Sequence, residues 1–278
     1  MHVIFLGFSA FKQYCYHFDI LKSDLGPDFD PTLDPEYCEI FKSTLRHSIL
    51  NPILNNVIIV DNSKFIFCMD CPRKNIWRRE IYPEYKLSRD LKDRSKDKFN
   101  MSRMFEYAYN IILPEICEEF EARQIMCGCA EGDDVIAVLT KHFLETTNDN
   151  VIIVSCDKDM VQLYNDRVSI ITIEGEKRIP KLELEKALKT KISQDITAGD
   201  FLLFKILIGD TADGIPNIKN GIGPKKAWQL IEDRNKLKQL LKEDITIVDS
   251  FKRNKQLISM NEIPETVHEL ILEQLNNG

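Results

Sequence analysis

Short, unbroken apolar runs recur along the chain, and amphipathic stretches separate them. Val3-Ile-Phe-Leu-Gly-Phe-Ser, Phe65-Ile-Phe-Cys-Met-Asp70, Ile125 to Cys129, Val151 to Cys156 and Val168 to Ile173 are strand-length runs, as expected of strands covered on both faces. Val57 to Val60 is a further run of this kind. Helical spacing marks Ala10 to Phe18, Pro35 to Ile49 and Val135 to Phe143. It also marks Asn100 to Phe120, where Met104, Tyr107, Ile111 and Ile112 form the expected core face and Pro114 a kink. Asp24 to Pro35, with its prolines and acids, reads as a loop. Strands alternating with helices require crossover connections, so the pattern predicts an α/β fold with a mainly parallel central sheet flanked by helices. After Pro180 the pattern is helical to the end, which divides the chain into an α/β core over 1–180 and a helical region over 181–278.

In a parallel sheet, ligands collect at the carboxyl ends of the strands. Asp70, then Glu131, Asp133 and Asp134, then Asp157 and Asp159 all follow apolar runs, so one sheet edge would gather them. Asp210 and Asp213 form a third cluster, after the apolar Phe201 to Ile208. Carboxylates held together raise one another's pKa and are kept with compensating cations, and hard oxygen ligands point to Mg²⁺ or Mn²⁺. The ordinary alternative is that Asp133 or Asp134 caps a helix and that Lys158 serves as a surface partner for its two neighbours.

Composition adds local detail. The 278 residues are 44% hydrophobic with a net charge of −7, which excludes a chain that is basic throughout. The stretch from Arg73 to Arg103 nevertheless carries eleven Lys or Arg against five acids, interleaved with Trp77, Tyr82 and Tyr85. That suits a phosphate backbone and stacked bases, and it equally suits a solvated charged loop. The eight cysteines are scattered and read as reduced. A four-thiolate zinc site from Cys68, Cys71, Cys127 and Cys129 has Asp70 inside its first pair and no further supporting spacing. No apolar run approaches membrane-span length and no leader pattern is present, so the expectation is a soluble intracellular protein with no membrane partner. Gly221-Ile-Gly-Pro-Lys-Lys-Ala presents a tight turn opening a helix, with Lys225 and Lys226 at its start. Such a turn either simply joins two helices or holds a phosphate.

In this order and spacing, Phe67-Cys-Met-Asp, Trp77-Arg-Arg-Glu, Tyr85-Lys-Leu-Ser-Arg, Glu131-Gly-Asp-Asp, Ser155-Cys-Asp-Lys-Asp, Ile208-Gly-Asp-Thr-Ala-Asp-Gly and the Gly221 turn resemble the flap endonuclease and 5′-to-3′ exonuclease family, most closely its phage RNase H branch. The resemblance implies a PIN-like 5′-nuclease core with a C-terminal helix-hairpin-helix-type element, acting in replication or repair by two-metal hydrolysis. It implies a first metal on Asp70, Glu131, Asp133 and Asp157, and a second with Asp134, Asp159, Asp210 and Asp213 around it. Lys86 and Arg89 match the catalytic phosphate-contacting pair within a basic arch over about 72–103. Arg78, Arg79, Lys86, Arg89, Gly221, Gly223, Lys225 and Lys226 become the DNA-binding set, with a K⁺ ion at the Gly221 turn.

The implied substrates are branched or 5′-flapped DNA and RNA–DNA hybrid. A single-strand binding protein or sliding clamp is the implied partner, although no peptide for either is recognisable. The implied location is cytoplasm or nucleoid, and richness in Lys, Asn and Ile fits a viral or phage genome. The family's first strand ends on an aspartate where this chain has Gly7, so a second expectation is a nuclease fold that binds branched DNA with impaired cleavage. A ribonuclease of the PIN class would share the acidic edge and leave the Gly221 turn unexplained.

Overall fold

The computed structural model describes residues 2–7, 39, 42–43, 46–47, 50, 63–91, 106–172 and 177–277. The expectations for Ala10–Phe18, Asp24–Pro35, Val57–Val60, Met104, Ile173 and residues 92–103 of the basic stretch lie outside these. Of the helix expected over 35–49, the described residues Glu39, Lys42, Ser43, Arg46 and His47 are helical.

Five strands form one sheet: β1 (His2–Gly7), β2 (Lys64–Met69), β3 (Arg123–Met126), β4 (Asn150–Val154) and β5 (Val168–Ile171). Their order is β3-β2-β1-β4-β5, and every pair is parallel. β1 is therefore central, which explains its continuous apolar run: Val3, Ile4 and Phe5 are wholly buried. In register, Gly7 lies opposite Cys68, at the same edge as Asp70.

The short helices α1 (Arg78–Ile81) and α2 (Leu87–Asp90) follow β2. The helix expected over 100–120 is described from 106 and contains a π-helical turn, Ala108–Ile112, running directly into α3 (Leu113–Glu119). Pro114 has no N–H to give to the preceding turn, and the wider turn accommodates that loss. The extra residue rotates the face, so Tyr107 and Ile112 are buried as expected, whereas Ile111 is 42% exposed and Ala108, Leu113 and Ile116 take the core positions.

α4 (Gly132–Thr146) packs its apolar face on the sheet. A 3-10 segment, Lys158–Leu163, follows β4. The helical region comprises α5 (Pro180–Leu188), α6 (Ala198–Ile208), α7 (Pro224–Glu232), α8 (Arg234–Glu243), α9 (Ile245–Ile258) and α10 (Glu265–Asn277). α5 to α9 share an apolar core, while Val267 and Ile271 of α10 return to the core of the sheet. Asn254, wholly buried on α9, donates to the carbonyls of Ile206 and Pro216 at 2.9 and 2.8 Å, tying α9 to the end of α6. Among the described residues no helix is long and apolar enough to cross a membrane.

Candidate active site

The sheet edge where β2, β1 and β4 end borders a cleft of about 190 Å³ whose lining includes Tyr85, Lys86, Arg89, Glu131, Asp133, Asp157, Lys158, Asp159, Asp210 and Asp213. Each wall has a local cause. Glu131 and Asp134 form a reciprocal capping box at the start of α4, which satisfies N–H groups that a helix end leaves free. Gly132 lets that end approach β2: a Cβ there would sit 2.9 Å from the Cys68 carbonyl oxygen. Its N–H instead donates to Asp70 Oδ1 at 2.7 Å. Asp157 accepts from the Asp159 N–H at 2.8 Å and so caps the 3-10 segment. Arg178 supports that turn by donating to the Cys156 carbonyl at 2.6 Å. On the far side Gly209, with φ of 71°, closes the loop that presents Asp210 and Asp213, where any Cβ would lie 2.4 Å from the carbonyl oxygens of Ile215 and Pro216.

The acids fall into distinct electrostatic settings. Burial raises the Asp133 carboxyl well above the usual range, and the neighbouring Asp157 and Asp70 raise it further. Burial likewise raises Asp70, opposed by the Gly132 N–H. Among the described residues, no Lys or Arg forms an ion pair with any of these three. Glu131 differs: against the penalty of burial, Lys86 and Arg78 hold its carboxyl below the usual range. Lys86 Nζ pairs with Glu131 Oε1 and lies 3.6 Å from Asp213 Oδ2. The Lys86 backbone is left-handed at φ 55°, a strained conformation for a residue with a side chain, and it is pinned by an N–H bond to the Asp213 carbonyl at 2.9 Å. Arg89 pairs with Asp213. Burial pushes Asp159 up to about 6, with Lys205 pulling the other way.

Two residues of the expected site point elsewhere. Asp134 is wholly buried. Its two oxygens accept from the Arg78 guanidinium at 2.7 Å each, and one also accepts from Trp77 Nε1 at 3.0 Å and the Glu131 N–H at 3.1 Å. It therefore has no oxygen left facing the cleft. Arg78, expected on DNA, is 5% exposed and spends its donors on Asp134, Glu131 and the Leu257 carbonyl. A guanidinium placed there is an internal tie. Arg79 pairs with Asp90 at 2.5 Å. Gly221, Gly223, Lys225 and Lys226 are exposed at the start of α7, apart from the cleft lining.

Two further residues belong to the site without having been expected there. Tyr85, buried, donates its hydroxyl to Glu131 Oε2 at 2.8 Å. Lys205 is buried beside Asp159 and Asp210, and a lone lysine within Phe201-Leu-Leu-Phe-Lys-Ile-Leu-Ile was the available signal.

Among the described residues no three His, Cys, Asp or Glu side chains already converge as a metal-binding group. The donor chemistry nevertheless fits a hard divalent cation: Asp70, Asp133 and Asp157 supply oxygens, and the Asp133 carboxyl is raised by burial and by the other two, a cost that a cation would relieve. The four cysteines do not assemble as a zinc site: among the described residues no three of them converge, and burial pushes the thiols of Cys71 and Cys129 up to about 12 and about 11.

The model of the 5′-3′ exonuclease N-terminal resolvase-like domain matches residues 43–192. The chain is 32% identical over 166 residues to a DNA polymerase I of Caldicellulosiruptor bescii, covering 59% of this chain and 18% of that protein. It is 29% identical over 182 residues to a 5′-3′ exonuclease of Buchnera aphidicola subsp. Schizaphis graminum, covering 65% of this chain and 56% of that protein. It thus spans only about half, or less, of these relatives. Among solved structures, a bacteriophage T5 flap endonuclease crystallised with DNA and metal ions superposes with a TM-score of 0.67 at 17% identity, over 99% of this chain and 98% of that one. That likeness shows a shared fold.

Proposed function

Because this chain belongs to the 5′-3′ exonuclease family, we propose that it is a structure-specific 5′ nuclease that hydrolyses phosphodiesters at the junction of single- and double-stranded nucleic acid. The observation that carries this reading is the gathering of Asp133 and Asp157, with Asp70 beside them, on one sheet edge facing Lys86 and Arg89. When bound there, Mg²⁺ or Mn²⁺ would supply an activated water at neutral pH and screen charge on the phosphoryl oxygens. Asp70, Asp133 and Asp157 would hold it, with Glu131 adjoining. Lys86 and Arg89, now paired with Glu131 and Asp213, would exchange those partners for the scissile phosphate and offset its developing charge. Tyr85 would keep Glu131 oriented during that exchange.

The exposed lysines of the Gly221 turn support a second contact, to duplex backbone without reading sequence, for which a K⁺ ion could bridge to phosphate. Flapped or branched DNA and RNA–DNA hybrid are the proposed substrates.

The test is cleavage of a labelled 5′-flap DNA in Mg²⁺ and in Mn²⁺, with binding measured in parallel. Cleavage is expected from the chain as it stands. Gly7→Asp, which adds a carboxylate at the end of the central strand, is expected to raise the rate by about tenfold, or about 1.4 kcal/mol. Binding with cleavage only in Gly7→Asp would make the present chain a binder of branched DNA. Neither binding nor cleavage in either form would overturn the nuclease reading.

The raised carboxyls also set a pH dependence. A carboxyl whose pKa is higher folded than unfolded favours the fold at low pH and weakens it as pH rises, for Asp159 through the window between the ordinary aspartate value and about 6. Glu131 and Asp210, shifted down, contribute stability above the ordinary range that is lost as pH falls through their folded values. The rise in melting temperature caused by Mg²⁺ is therefore expected to be larger at pH 7.5 than at pH 5. Thermal melts at the two pH values check this, and an equal rise would contradict it.

A further inference from the structure

We propose that the Lys205 ammonium is a built-in cation for the second acidic pair, Asp159 and Asp210, so that this chain binds one divalent ion tightly, at Asp70, Asp133 and Asp157, and a second only weakly. The inference rests on the metal-dependent reading above and concerns how charge is divided within that site.

Lys205 Nζ lies 3.0 Å from Asp159 Oδ1 and 2.5 Å from Asp210 Oδ2. Its side chain is 4% exposed, and it rises from α6 among Phe201, Phe204, Ile206 and Leu207, all buried. The backbone of α6 is fixed from outside, because Asn254 holds the Ile206 carbonyl. Arg89 provides the contrast: it reaches Asp213 from a short helix and is 39% exposed, so it can give up its partner when another anion or cation arrives.

The charge balance follows from these positions. Asp159 and Asp210 share one fixed ammonium, which leaves them a single net negative charge and places a like charge in the path of any cation they might bind. Asp70, Asp133 and Asp157 have, among the described residues, no such partner. A divalent ion gains most where carboxylates lie together with no ammonium bonded to them. At Asp159 and Asp210 it would have to displace a buried lysine or bind beside it.

The test is a Mn²⁺ titration of the full chain, following free Mn²⁺ by electron paramagnetic resonance, with no nucleic acid present. The chain is expected to bind one ion tightly and a second at least about tenfold more weakly. Lys205→Met keeps the length and apolar stem and removes the charge; it is expected to acquire a second tight ion. Asp159→Asn is expected to leave the single tight ion in place, and it serves if Lys205→Met does not fold. Two equally tight ions in the unaltered chain would overturn this proposal alone, as would a folded Lys205→Met with one. Loss of the tight ion in Asp159→Asn would also overturn it. No bound Mn²⁺ in the unaltered chain would sink both this proposal and the metal-dependent reading.

Discussion

Asp157→Asn is expected to lower kcat/KM on a 5′-flapped DNA by at least about 10³-fold, equivalent to about 4 kcal/mol, while leaving the fold intact. Asparagine keeps an oxygen that can accept from the Asp159 N–H, so the cap on the 3-10 segment survives. Loss of a negative charge beside Asp133 is therefore what the substitution measures. Asp157 is the neighbour that most raises the Asp133 carboxyl, so in the variant Asp133 should ionise at lower pH even as the affinity for cation falls. The two effects oppose each other only at acidic pH, and at pH 8 the loss of affinity stands alone. A variant retaining activity within tenfold of the parent across Mg²⁺ concentrations would show that Asp157 does not hold the cation. Circular dichroism and the urea midpoint separate that outcome from unfolding.

The sheet was legible because a strand covered on both faces must be apolar through its length, and β1, β2 and β4 carry no polar residue after their first. Their parallel order then gathers the acids that follow them, a consequence of topology that needs no knowledge of side-chain contacts. Individual carboxylates were less legible. Asp133 and Asp134 are adjacent and chemically identical, yet one helical step of about 100° sends one into the cleft and the other into the interior. The same step divides Arg78, buried, from Arg79, paired with Asp90. Local charge counts cannot resolve such neighbours, because burial is decided by packing between distant segments: Arg78 meets Asp134 on α4 and the Leu257 carbonyl on α9. Ile111 was misplaced for a different reason: the π turn before Pro114 inserts a residue that a regular period of 3.6 does not contain. Gly7 was legible as a departure from the family pattern, and its position at the carboxyl end of β1 agrees with that reading.

Arg78→Met is expected to destabilise the chain by about 3–5 kcal/mol in urea denaturation, the range found when one member of a buried pair is removed. The guanidinium is bonded at 2.7 Å to each Asp134 oxygen, stacks over the Trp77 ring at 4.4 Å and donates to the Leu257 carbonyl at 2.8 Å. It thus ties the basic stretch after β2 to the start of α4 and the end of α9, the elements that frame the cleft. Methionine fills the volume of the stem but leaves Asp134 charged, wholly buried and short of its main partner. The control is Arg78→Met with Asp134→Asn, which removes both charges, keeps an oxygen that can accept from Trp77 Nε1 and the Glu131 N–H, and should recover part of the lost stability. Were Arg78 instead a DNA contact, as its place among Lys and Arg residues suggests, Arg78→Met would leave the urea midpoint unchanged and weaken DNA binding with a shallower salt dependence. The two accounts therefore separate in one pair of experiments. If the internal tie is correct, cleavage by Arg78→Met falls as well, because Glu131 loses a cation that helps to fix its carboxylate and Tyr85 loses the guanidinium packed 5.9 Å from its ring.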